Sequence, residues 1–187
     1  MSASDRRHLA ALLAERSAKR GQFTLASGRE SNFYVDARLT TMSPEGLALI
    51  GPAALQAIAD AHWDADSVGG LTLGADPISY AISYASASTA HPVRAFTVRK
   101  EPKGHGTGKL VEGPFRSGDR VVIIEDVVTT GGSALKAAAA VIAAGGRVLG
   151  ILALVDREEG GREAIEAAGY SVRSLVRASD VLPLVRD

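Results

Sequence analysis

A doubly wound α/β fold, with a mainly parallel sheet and helices on both of its faces, is what this sequence predicts. Three observations carry the prediction. Strand-like and helix-like segments alternate from residue 43 to residue 176, a pattern that calls for right-handed βαβ crossovers between parallel strands. The runs Val121-Val122-Ile123-Ile124 and Ile151-Leu152-Ala153-Leu154-Val155 are unbroken and apolar, as strands buried on both faces are. Many alanines and glycines with few aromatics suit close packing of helix on sheet. At 187 residues the chain fits one domain, 1–187, long enough to bury a core.

Taken in order, Ser4 is placed to cap a first helix whose Leu9, Leu12, Leu13 and Arg16 follow helical spacing, with Gly21 as its stop. Residues 23–36 read as extended, interrupted at Ser27-Gly28-Arg29. Ser43-Pro44-Glu45 is a helix start, a cap followed by proline and an acid in the first turn. Leu47, Ile50, Ala54, Leu55 and Ile58 then form its buried stripe. A strand over 68–73 precedes a helix opened by Asp76-Pro77 and running to Ala85. A strand over 93–99 leads into a glycine-rich, irregular stretch, 100–117. After the strand at Val121 comes a helix over 134–144, then a strand over 147–155, a helix over 162–168 and a last strand over 171–176.

Composition excludes several classes. The 21 basic and 21 acidic residues cancel, so nothing points to a nucleic-acid or membrane-surface partner. The absence of cysteine removes disulfides, thiolate metal sites and a thiol nucleophile. Residues 1–20 lack the apolar centre of a signal peptide, and no apolar run is long enough to span a bilayer. A cytoplasmic protein is expected.

The most informative run is Glu125-Asp126-Val127-Val128-Thr129-Thr130-Gly131-Gly132-Ser133, at the end of the Val/Ile strand. A turn that opens a helix presents unpaired N–H groups and the positive end of the dipole, which together favour phosphate. Glycines let that backbone approach a ligand closely. Two carboxylates beneath the turn are placed to accept hydrogen bonds from vicinal hydroxyls, so the run describes a ribose-5-phosphate site. Ordinary turn chemistry explains a lone acidic pair or a lone Thr-Gly-Gly-Ser equally well; the order of the whole run favours the phosphate reading. It resembles the phosphoribosyl-pyrophosphate (PRPP) signature of type I phosphoribosyltransferases.

A second segment, from Arg99 and Lys100 through Lys103, Gly104, His105 and Gly106 to Lys109, concentrates cations among glycines. Such a stretch is expected to be exposed and mobile, and to match a polyanion such as pyrophosphate; a solvated surface loop is the plainer reading. Gly106-Thr107-Gly108-Lys109 is not a Walker A motif, because Leu110 stands where Ser or Thr is needed.

Arg99-Lys100-x-x-Lys103-x-His105-Gly106, followed by Glu112-Gly113, is similar to the catalytic loop of orotate phosphoribosyltransferases. Residues 23–36 resemble that family's substrate-side hood, Asp156-Arg157 its orotate arginine, and residues 69–77 its pyrophosphate loop. The resemblance implies a hood over 1–42, joined by the C-terminal segment, above a core over about 43–177. It implies that Arg99, Lys100, Lys103, His105 and residues 125–133 bind PRPP, and that Thr129 and Arg157 bind orotate. Lys103, His105, Asp126 and Glu125 would carry catalysis, with Mg²⁺ held through PRPP. A homodimer sharing the 100–117 loop across its interface is also implied. Ala26 and Gly74 stand where better-known members carry lysines, so those two contacts are not carried over. Transfer to another base, or a PRPP-sensing regulator, are the alternatives; balanced charge and the retained loop weigh against the regulator.

His8 and His62 read as surface residues, His91 as a loop residue, and Trp63 and Asp64 as helix-closing. Tyr80 and Tyr84, four apart, read as core or dimer contacts.

Overall fold

The computed structural model describes residues 1–24, 30–101 and 109–186. Helix α1 (Ala3–Arg16) is capped by Ser2, not Ser4: the Asp5 amide donates to Ser2 Oγ at 3.1 Å, and the Asp5 carboxylate accepts from Ser2 N and Oγ. This reciprocal box satisfies two donors at once. The helix ends at Ser17 rather than Gly21. Ser17 is buried with its hydroxyl 2.7 Å from Thr40 Oγ1, so a tertiary contact stops the helix before the glycine is reached. Strands β1 (Ala18–Thr24) and β2 (Glu30–Val35) pair antiparallel, and Gly21 lies where their register slips.

A short α2 (Arg38–Thr41), unmarked by any sequence periodicity, leads into α3 (Pro44–Asp60), where the Gly46 amide donates to Ser43 Oγ at 3.0 Å as the start signal predicts. His62 and Trp63 lie past its end; the Trp63 ring fills the space a side chain at Gly150 would need. Then follow β3 (Ser67–Leu71), α4 (Ala75–Ser86), β4 (Arg94–Val98), β5 (Val111–Glu112) and β6 (Arg120–Val128). Helix α5 (Gly132–Ala143), β7 (Arg147–Asp156), α6 (Gly161–Ala167), β8 (Val172–Arg177), α7 (Ala178–Val181) and a 3₁₀ turn (Leu182–Leu184) complete the chain.

The main sheet is six-stranded in the order β5-β4-β3-β6-β7-β8, parallel throughout except for β5. The stretch expected to be irregular thus contains one short edge strand. Alternation along β6 divides the core: Val122 and Ile124 pack with Leu9, Leu13, Ile50 and Ile82 from α1, α3 and α4, while Val121 and Ile123 pack with Ala134, Ala138, Val141 and Ile165 from α5 and α6. Helices therefore cover both faces, as predicted. Tyr80 and Tyr84 are exposed rather than in the core, because α4 turns its Ile78, Ala81 and Ile82 face inward.

Candidate active site

Winding reverses at β3. The chain passes from β3 to β4 on one side, and β6, β7 and β8 continue on the other. In such sheets ligands bind beyond the carboxyl ends of the strands that flank the reversal. Two turns meet there, residues 72–74 after β3 and residues 129–131 after β6.

β6 runs on to Val128, two residues past the acidic pair, because Val127 and Val128 still register with Val155 and Asp156 of β7. Glu125 and Asp126 therefore lie within the last turn of ladder rather than at its tip. Glu125 is only 8 % exposed, and its Oε2 has no hydrogen-bond partner among the described residues. Burial, reinforced by the neighbouring Asp126 charge, raises its pKa well above the ordinary value. An unpaired buried oxygen of this kind calls for a partner, and a sugar hydroxyl is one. Asp126 is half-buried, and its Oδ1 accepts the Val127 amide at 2.9 Å. Its carboxylate lies against the Gly74 α-carbon, in the space a Cβ at that position would take.

The turn itself is shaped by Gly131. Its φ of 80° is left-handed, and a Cβ there would crowd the Gly161 carbonyl at 2.8 Å. It forms the N-cap of α5 without a side-chain cap bond, and Gly132 and Ser133 are exposed. The first-turn amides of a twelve-residue helix are thus left to an outside acceptor.

The sequence-predicted residues gather unevenly around this centre. Glu125, Asp126, Val127, Val128, Thr129, Thr130, Gly131, Gly132 and Ser133 form one continuous cradle. Arg99, half-buried just past β4, and the exposed Lys100 stand on the β3 side; the Arg99 amide donates to Leu110 O at 2.9 Å. Lys103 and His105, like Ala26, lie outside the described residues. Arg157 follows β7 on the opposite side, its amide donating to Val128 O at 3.0 Å.

Arg157, which the resemblance implies for orotate, already has partners within the chain. At 5 % exposure its Nη2 donates to Ser31 Oγ at 2.9 Å, to Phe33 O at 2.8 Å and to Glu159 Oε1 at 2.5 Å. Its guanidinium also stacks 4.9 Å from the centre of the Phe33 ring. It therefore pins β2 to the end of β7, and a two-pronged contact with a ligand requires Nη2 to exchange partners. Arg38 is a cation that sequence reasoning did not single out. Asp36 accepts from its Nε at 2.8 Å and Nη2 at 2.9 Å and holds it protonated, with smaller contributions from Tyr34 and Asp126. No periodicity or motif marks it; only the hood's placement brings it near Asp126.

An uncapped helix end at a winding reversal, with two acids beneath it, is the arrangement expected of a phosphoribosyltransferase. Comparison agrees: the phosphoribosyl transferase domain family matches residues 46–181. An orotate phosphoribosyltransferase of Aquifex aeolicus (strain VF5) is 48 % identical over 181 residues, covering 95 % of this chain and 98 % of its own. The crystal structure of Mycobacterium tuberculosis H37Rv orotate phosphoribosyltransferase in complex with Fe(III) dicitrate superposes with a TM-score of 0.82 at 46 % identity, over 95 % of this chain and 98 % of that one. The same Mycobacterium protein in complex with PRPP superposes with a TM-score of 0.78 at 39 % identity, over 97 % of this chain and 93 % of that one. The chain belongs to the orotate phosphoribosyltransferase family.

Proposed function

We infer that this enzyme transfers the 5-phosphoribosyl group of PRPP to orotate, giving orotidine 5′-monophosphate and pyrophosphate, a step of UMP synthesis, with residues 125–133 as its PRPP cradle. The observation that carries the reading is the pairing of open α5 amides with two acids beneath them at the winding reversal. The amides of residues 131–133 hold the 5-phosphate, and Thr129 and Thr130 add hydroxyl donors. Asp126 and Glu125 accept from the ribose hydroxyls. As the anomeric C–O bond lengthens, positive charge builds on the ribose ring, and the role assigned to the half-buried Asp126 carboxylate is to stabilise that charge. Arg99, Lys100, Lys103 and His105 receive the charge that accumulates on pyrophosphate. Thr129 and Arg157 orient orotate, Arg157 after releasing one hood partner. Catalysis is then positioning and charge stabilisation, with no covalent enzyme intermediate.

Hard carboxylate oxygens at Asp126 fit Mg²⁺, which takes few protein ligands and keeps several waters or substrate oxygens. When bound, the ion neutralises charge on the diphosphate. We read the chain as one domain, its hood (1–42 with the C-terminal segment) resting on the core (43–177). Contacts of α1 with α7 and the 3₁₀ turn, and the 2.7 Å bond from Arg20 Nη2 to Leu182 O, support that division. A cytoplasmic homodimer that shares the 100–117 loop completes the reading. Among the described residues no helix is long and apolar enough to cross a membrane.

A spectrophotometric assay of orotate consumption tests the function. Loss of orotate absorbance requiring both PRPP and Mg²⁺ is expected; turnover of adenine, hypoxanthine or uracil with no consumption of orotate overturns it.

A further inference from the structure

Asp76 is 7 % exposed, and no cation bonds to it among the described residues. Hydroxyls take both its oxygens. Thr72 Oγ1 donates to Oδ2 at 2.7 Å, and Thr97 Oγ1 donates to Oδ1 at 2.8 Å. Since the single hydroxyl proton of Thr97 goes to Asp76, the 3.1 Å contact between Tyr80 Oη and Thr97 Oγ1 is donated by Tyr80. Asp76 and Tyr80 lie one turn apart near the start of α4, where the helix dipole favours a carboxylate.

The four residues come from three pieces of chain. Thr72 opens the turn after β3, Thr97 sits two residues before Arg99 in β4, and the other two belong to α4. The Thr72 amide adds a bond to Val98 O at 2.8 Å. The network thus fixes the 72–74 turn, on which Asp126 rests, against the strand that leads to Arg99.

We propose that Asp76 is a positioning residue for the diphosphate side of the site: through Thr72 and Thr97 it holds the 72–74 turn and the Arg99 end of β4 in one register, so that both face the same leaving group. The proposal rests on the reading above that Arg99 receives the charge of pyrophosphate, and on the likeness of residues 69–77 to the family's pyrophosphate loop. It goes further in assigning the register to a buried carboxylate that need not touch substrate.

Steady-state kinetics and PRPP binding by titration calorimetry test it on Asp76→Ala, Thr72→Val and Thr97→Val, with Arg99→Ala as control. Loss of the buried acceptor, or of one hydroxyl, should raise the KM and Kd for PRPP about tenfold for Asp76→Ala and about threefold for each valine variant. The KM for orotate should stay within about twofold. Thr97→Val should add little further loss in an Asp76→Ala background, because both act through one network. Asp76→Asn, which keeps one acceptor oxygen, should fall between wild type and Asp76→Ala. If Asp76→Ala does not fold, the valine variants carry the same test. An unchanged PRPP constant while Arg99→Ala weakens PRPP overturns the positioning role alone. Unchanged constants in both Asp76→Ala and Arg99→Ala overturn the diphosphate assignment and the positioning role with it. Equal losses for orotate and PRPP reduce Asp76 to a general structural residue and overturn the proposal.

Discussion

At the scale of single residues, Glu125 and Gly74 make the acidic floor what it is. Glu125 has a folded pKa raised well above 4.5, first by burial and then by the Asp126 charge. An acid shifted upward contributes stability that is complete below its unfolded pKa and is lost as pH rises through its folded one. Glu125→Gln keeps the shape and removes the ionisation. Relative to that variant, the wild type should lose stability as pH climbs above 4.5, read as denaturant midpoints across a pH series. Parallel profiles would remove burial as the cause. Gly74 leaves the Asp126 carboxylate the space that any Cβ would take. Gly74→Ala should displace that carboxylate and lower kcat/KM for PRPP on the order of tenfold to a hundredfold, as small misplacements of reacting groups do. Unchanged kinetics would show that Asp126 acts from another rotamer. Glu125, Asp126 and Gly131 were legible in the sequence because their chemistry lies in one contiguous run. Asp76 was legible only as a helix opener, since its partners Thr72 and Thr97 come from two different strand ends.

Elements are joined by arginine clamps. Arg120, at the start of β6, donates from Nε and Nη2 to the two Asp66 oxygens at 2.9 Å and also bonds Asp64, tying the approach to β3 against β6. These bonds lower the Asp66 pKa from 3.8 to about 2. A carboxyl shifted downward contributes stability that is present above its unfolded pKa and is lost as pH falls through the folded one. Acid titration of stability should therefore show a loss between pH 3.8 and about 2 that Asp66→Asn lacks; identical acid limbs would make the clamp energetically silent. Arg157 is the second clamp, from the end of β7 to the hood strand β2. Arg157→Ala should destabilise the fold by about 3 kcal/mol, because it removes the buried guanidinium's bonds to Ser31, Phe33 and Glu159 together with its stack on the Phe33 ring. It should also weaken orotate more than PRPP. A loss of orotate affinity at unchanged thermal stability would contradict the clamp. Periodicity and caps revealed the long helices and buried strands, but not α2, β5 or α7, each four residues or fewer, too short to repeat a pattern. The first helix was misplaced at both ends because Ser2 pairs with Asp5 and Ser17 with Thr40, and the second of these contacts is tertiary.

For the whole molecule, the winding reversal at β3 matters more than any one side chain. It sets two turns face to face beyond the carboxyl ends of the paired strands β3 and β6. One brings an open helix end with acids beneath it, and the other a glycine seat for Asp126. Alternating strands and helices foretold such a crevice, and the order of residues 121–133 foretold which strand would floor it. The hood's grip on Arg157 could not be foretold, because Ser31 and Phe33 lie 126 and 124 residues away in sequence. Amide hydrogen exchange with and without PRPP tests the central claim most directly. Protection on adding PRPP should centre on the amides of residues 127–133 and extend to 72–74. Unchanged exchange across 127–133, with protection appearing elsewhere in the chain, would contradict a phosphoribosyl cradle at the end of β6.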